Sequence, residues 1–290
     1  MRWEGVRQSD NVEDRRASGG GGGGFGIGGR SIGIGTIVIA LLAWGVFGIN
    51  PLTTIGVLGG AGSQVSQPAP GQAPPANDQA AAFVSTVLAS TEDAWTQIFR
   101  QGGAQYREPR LVLFRGATRT ACGMGQSAMG PFYCPADQTV YLDMEFFETL
   151  QRQLNAPGEF ARAYVIAHEV GHHVQTLLGT TGKVDSLRGR VSERENNALS
   201  VRMELQADCF AGIWANKSQQ AKNWLEQGDL ESAMNAAARI GDDHLQRQQT
   251  GMVRPDTFTH GSSAQRQRWF AQGFKTGSVQ ACDTFNAQSL

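Results

Sequence analysis

His168, Glu169 and His172 form the pattern His-Glu-x-x-His within a run of mostly apolar side chains at 160–178. On a helix, positions i and i+4 lie on one face about 6 Å apart along the axis. Two neutral imidazoles at that spacing can bind a single Zn²⁺. The carboxylate of Glu169 projects beside the same face, where it can take a proton from metal-bound water instead of ligating the metal. Together they supply what hydrolysis of a peptide bond needs: a Lewis acid and a base. Phe160, Tyr164, Val165, Ile166, Val170, Val174 and Leu177 make the helix apolar, which predicts burial. Buried histidines and a buried glutamate need partners, and a metal provides one. His173, next in sequence but off this face, reads as a surface or supporting group.

A catalytic zinc keeps three protein ligands and one open position. The extended motif that adds Gly-x-x-His is excluded, because Gln175 and Leu178 stand at those positions. A carboxylate from a later helix is the other common solution. Glu204 and Asp208 are again i and i+4, in a segment whose Leu205, Ala207, Cys209, Phe210, Ala211, Ile213 and Trp214 predict a buried helix over 197–216. Glu204 is expected to bind the metal, and Asp208 to accept a hydrogen bond from a ligand histidine and fix its tautomer.

The tracts HEVGHHVQ (168–175), RMELQADCFAG (202–212), GPFYCPADQTVYLD (130–143) and FTHGSSAQRQRWF (258–270) resemble the bacterial neutral zinc metallopeptidases. MRWEGVRQSDNVEDRR at the start and INPL at 49–52 match as well, so the resemblance spans nearly the whole chain. Glu-x-x-Ala-Asp is similar to the pattern of membrane-linked gluzincins such as the CAAX prenyl protease and HtpX-like peptidases. The resemblance implies a zincin-like fold, with Glu204 as third ligand and a peptide or protein as substrate.

The elements that must carry these residues follow from periodicity and capping. Asn77 or Asp78 caps a helix through about Gln101. Arg110–Arg115 and Thr139–Asp143 read as short strands, and 145–154 as a helix. The two metal helices come next, then one or two helices over 223–248, and a last one capped by Ser262 or Ser263 and running to Gln272. Short strands followed by many helices give an α+β class, mostly helical, with a small antiparallel sheet. The 123–130 segment and the 139–143 strand are expected to line a cleft where an extended substrate pairs with a sheet edge.

The 290 residues carry a formal net charge of −1, and no basic stripe marks a nucleic-acid partner. Residues 1–30, glycine-rich from Gly19, read as a disordered cytoplasmic tail. Ser31–Asn50 contains no charge and is long enough to cross about 30 Å of hydrocarbon as an uncleaved signal anchor. Arg15, Arg16 and Arg30 precede it, and no Lys or Arg follows until Arg100. That bias predicts a single pass through the bacterial inner membrane, with a cytoplasmic N-terminus and a periplasmic catalytic domain. Residues 51–77 read as a Pro/Gln/Ala-rich linker and 78–290 as the catalytic domain. Four cysteines, all beyond the apolar run, suit two disulfides in an oxidising compartment. Three connectivities are possible, and Cys122–Cys134 with Cys209–Cys282 is the expected one.

The expected reaction has zinc held by His168, His172 and Glu204, with Glu169 as general base and then acid. His260, beside a helix start, is the first candidate to stabilise the developing oxyanion, and Tyr133 the second. His244, in a polar helical stretch, reads as surface. Two other readings of the same residues remain: an interaction or regulatory module with little turnover, and a metallohydrolase of non-peptide amides.

Overall fold

The Asp78 carboxylate accepts from the N–H of Ala81 at 3.0 Å, so the first long helix starts where an acceptor satisfies a free helical amide. The computed structural model describes residues 1–17, 72–126 and 130–290. Strand β1 (Val12–Asp14) precedes helix α1 (Gln79–Gln101). Strands β2 (Arg110–Phe114), β3 (Ala117–Thr120), β4 (Gly123–Gln126), β5 (Phe132–Cys134) and β6 (Thr139–Asp143) follow. Helices α2 (Glu145–Arg152), α3 (Glu159–Leu177), α4 (Thr180–Leu187), α5 (Glu193–Lys222), α6 (Asp229–Arg239), α7 (Asp242–Thr250) and α8 (Ser263–Thr276) make up the rest. The α+β class holds, but the sheet is not purely antiparallel. Its order is β1-β2-β6-β5, with β1 and β6 parallel to β2 and only β5 antiparallel to β6. Because β6 is paired on both sides, it has no free edge to offer a substrate. Of the other expected lining, 127–129 lies outside the described residues, and β3 and β4 pair with each other as a separate hairpin.

Residues 1–17 correct the expected disordered tail. Val12 pairs with Leu111 and Asp14 with Leu113. Trp3 stacks edge-on against Phe83 at 5.3 Å and donates to Glu159 at 3.0 Å. Glu92 of α1 is 1% exposed, a burial that needs partners. Arg7, Ser9 and Asn11 supply them. Arg16 then reaches Asp78 at 2.6 Å. The tail reading failed for residues 1–17 because the glycine-rich run begins only at Gly19, whereas the preceding residues carry the polar groups this interface uses. Backbone pairing of β1 with β2 puts both on the same side of any bilayer. The orientation expected from the flanking charges, which sets residues 1–17 and the domain on opposite faces, takes no account of that pairing. The apolar run itself and most of the expected linker lie outside the described residues. Among the described residues no helix is long and apolar enough to cross a membrane.

Three glycines set how closely the helices around the site approach. A Cβ on Gly171, within the His-Glu-x-x-His pattern, would sit 3.0 Å from the carbonyl oxygen of Ala207, so α3 and α5 nearly touch there. A Cβ on Gly212 would meet Phe270 O at 2.1 Å, and one on Gly273 would meet Cys209 O at 1.9 Å. Helix α5 is thus gripped on one side by α3 and on another by α8. Buried Phe160, Trp214, Trp224, Phe210 and Trp95 fill the space around this pair.

Candidate metal centre

Helix α3 supplies His168, Glu169 and His172, and α5 supplies Glu204 and Asp208; the Gly171–Ala207 contact brings the two helices together. Glu204 Oε2 lies 3.1 Å from His168 Nε2, and Glu204 Oε1 lies 3.4 Å from His172 Nε2. One donor atom from each of the three residues falls within 4.8 Å of the others. Zinc bonds of about 2.0–2.1 Å in tetrahedral array place donors about 3.4 Å apart, so the residues fit such an ion.

Charge points the same way. Glu169, Glu204 and Asp208 face one guanidinium, that of Arg266, in a largely buried space. With neutral imidazoles the surplus is negative, which a divalent cation offsets. Burial opposes charging of His168, yet Asp208 and Glu204 outweigh it and push its pKa up to about 10. Burial also works against His172, and Glu204 overrides it in the same direction. Burial raises the Glu169 carboxyl above its usual value, although His168 and His172 pull it the other way.

Asp208 is fully buried and accepts from His168 Nδ1 at 2.8 Å, as expected. Sequence reasoning missed what surrounds it. Arg266 of α8 donates Nε to Oδ2 at 2.8 Å and Nη2 to Oδ1 at 2.9 Å, and the Tyr164 hydroxyl also donates to Oδ1. Arg266 stands in the FTHGSSAQRQRWF tract, but nothing in local spacing names a partner 58 positions away. The tract's match to a family was the one available signal.

His260 precedes α8, whose start is fixed by a capping box of Ser262 and Gln265. Asp242, at the start of α7, accepts from the backbone N–H groups of Thr259, His260 and Gly261 at 2.7, 2.7 and 3.1 Å. Its other oxygen lies 3.3 Å from His260 Nδ1. Burial lowers the His260 pKa, but Asp242 and Glu204 together raise it. His260 is therefore held by a loop that Asp242 ties down.

Tyr133 behaves otherwise. His173 Nε2 faces the carbonyl of Arg107 at 2.6 Å and must donate there, leaving Nδ1 to accept from the Tyr133 hydroxyl at 3.0 Å. That hydroxyl proton is committed. His173 is fully buried against Tyr106 and Tyr133, so it is no surface residue; it pins β5 and the loop before β2 to α3. His244 is half-buried in α7. Both expected disulfides are present, Cys122–Cys134 beside β5 and Cys209–Cys282 beside Asp208.

Comparison with known proteins agrees with this geometry. The family model described as "Putative neutral zinc metallopeptidase" matches residues 1–285. The Escherichia coli K12 protein named "Uncharacterized protein YpfJ" is 52% identical over 289 residues, covering 98% of this chain and 99% of that one. "Uncharacterized protein Rv2575" of Mycobacterium tuberculosis H37Rv is 42% identical over 218 residues, covering 72% of this chain and 73% of its own length. No solved structure matches. A model match across almost every residue, carrying the His-Glu-x-x-His helix with it, means that the chain belongs to this zinc metallopeptidase family.

Proposed function

We propose that the protein is a zinc-dependent peptidase with the metal held by Nε2 of His168, Nε2 of His172 and the carboxylate of Glu204. The observation that carries this is the approach of the Glu204 oxygens to both imidazoles, at 3.1 and 3.4 Å. A bound zinc ion would lower the pKa of a water and polarise a carbonyl oxygen. Glu169, buried one position beyond His168, takes the water's proton and returns it to the leaving amine. His260, oriented through Asp242, donates toward the carbonyl oxygen as negative charge develops there. Strand β5, outermost in its sheet and joined to α3 through Tyr133 and His173, offers an edge on which an extended peptide can pair.

Attachment to the bacterial inner membrane through the apolar run at 31–50 remains part of this reading, with residues 1–17 on the same face as the domain. Two disulfides favour the extracytoplasmic face.

Glu169→Gln tests the catalytic assignment. It is expected to keep zinc and lose hydrolysis of a peptide pool; wild-type turnover in that variant would refute it. His168→Ala, His172→Ala and Glu204→Ala should each lose zinc by elemental analysis, and normal zinc content in all three would remove the site.

A further inference from the structure

We propose that Gln175 and Gln206 are positioning residues: they form an amide relay that starts at the carbonyl of Cys282 and holds the His172 imidazole with Nε2 turned to the metal. The inference rests on the zinc reading above. It concerns how the second histidine is oriented, which the Asp208–Arg266 pair behind His168 does not touch.

Each amide of the relay is fixed by a backbone carbonyl, a group that can only accept. Gln206 Nε2 lies 3.0 Å from Cys282 O, so the Gln206 amide must turn its NH₂ there. Its Oε1 then faces Gln175, whose Nε2 lies 3.1 Å away. Gln175 Nε2 also lies 2.7 Å from Met203 O, a second backbone carbonyl. Both Gln175 hydrogens are thereby used. Its Oε1 is left as an acceptor, 2.8 Å from His172 Nδ1. His172 must carry its proton on Nδ1, which leaves the Nε2 lone pair facing Glu204. Flipping either amide would set oxygen against carbonyl oxygen in a buried place, since Gln175 is 0% and Gln206 9% exposed.

The far end of the relay is anchored as firmly. Cys282 closes the turn Val279–Cys282 after α8 and is bonded to Cys209, the residue after Asp208. Thr284 donates to the carbonyl of Arg202 at 2.7 Å, and the Arg202 side chain donates back to Thr284. The C-terminal segment is thus strapped along α5 behind the ligands. The two imidazoles are backed differently: His168 by an ion pair, His172 by neutral amides that add no further buried charge.

The test measures zinc dissociation constants for the full-length protein by chelator competition. Gln175→Leu removes the acceptor and should weaken zinc about 10- to 100-fold. Gln175→Glu keeps an acceptor facing Nδ1–H while losing both donors. It should bind zinc within several-fold of wild type even if its melting temperature falls. Gln206→Leu leaves Met203 to orient Gln175 and should still weaken zinc several-fold, up to about 10-fold. The cobalt-substituted form gives a second readout, because a displaced imidazole changes the visible ligand-field bands in Gln175→Leu and a remote packing defect does not. Zinc affinity and cobalt bands of wild-type character in Gln175→Leu would overturn the relay, as would a Gln175→Glu variant as weak as Gln175→Leu. Where neither Gln175 variant folds, unchanged zinc affinity in Gln206→Leu overturns it. A wild-type protein that binds no zinc overturns the metal reading and the relay with it.

Discussion

Arg266→Met breaks the ion pair behind His168 and leaves the fully buried Asp208 carboxylate without its guanidinium partner. Arg266 is 2% exposed and donates to both Asp208 oxygens, at 2.8 and 2.9 Å. It also reaches Tyr164 and the carbonyl of Ile240, each at 3.3 Å. Methionine keeps much of the stem's volume, so the loss is mainly electrostatic. Removing one partner of a buried pair costs about 3–5 kcal/mol. For a domain of this size that lowers the melting temperature by roughly 6–20 °C. The assay is thermal and urea unfolding of zinc-free protein, so that changed metal affinity does not enter the comparison. The pH dependence has a definite sign. Burial raises the Asp208 pKa, but Arg266 and His168 outweigh it and the folded value is lowered. Its contribution is therefore present above the ordinary carboxylate value near ~4 and is lost as pH falls through the folded value. The deficit of Arg266→Met should be largest near neutrality and narrow on acidification, as the orphaned carboxyl protonates. Adding Asp208→Asn should recover part of the loss, since the orphaned carboxylate is then gone. A deficit under about 1 kcal/mol at neutral pH, or one that widens on acidification, would refute the buried-pair account.

Gly273→Ala places a methyl 1.9 Å from Cys209 O, where only backbone can yield; it should cost about 1–3 kcal/mol or more and weaken zinc by prising α8 from α5. Wild-type melting and zinc content in that variant would show that the close approach does not set the site. Glu4→Cys and Ser186→Cys place single exposed thiols on the N-terminal segment and on α4. In spheroplasts both should react alike with a membrane-impermeant maleimide, and opposite labelling would remove β1 from the sheet.

What the sequence made legible was local. The i, i+4 spacings of His168 with His172 and of Glu204 with Asp208 specify helix faces without knowledge of the fold. Asp78 and Ser262, each one of two neighbouring cap candidates, mark helix starts through hydrogen bonds that span three residues. Apolar flanks further imply that two buried helices bearing these groups must meet. The closeness of the meeting was harder to read: Gly171 and Ala207 allow near-contact of the backbones, but a lone glycine in a helix carries no partner's name. Arg266 shows the same limit. An arginine among glutamines in a helix reads as solvated surface until the fold puts Asp208 against it.

Strand β1 bears on how much weight the charges before the apolar run can carry. Val-Glu-Asp is too short and too charged to display the alternation that marks a strand, and its pairing with Leu111 to Leu113 depends on residues far along the chain. The uncharged run at 31–50 is, by contrast, a strong local signal, and the arginines before it oriented it by a rule that assumes nothing upstream belongs to the domain. Arg15 and Arg16 do belong to it: the Arg15 N–H bonds Leu113 O at 2.8 Å, and Arg16 bridges Asp14 and Asp78. Charges that read as a topology signal are held in ion pairs of the fold, so they are explained without the membrane and lose their weight as evidence of its orientation.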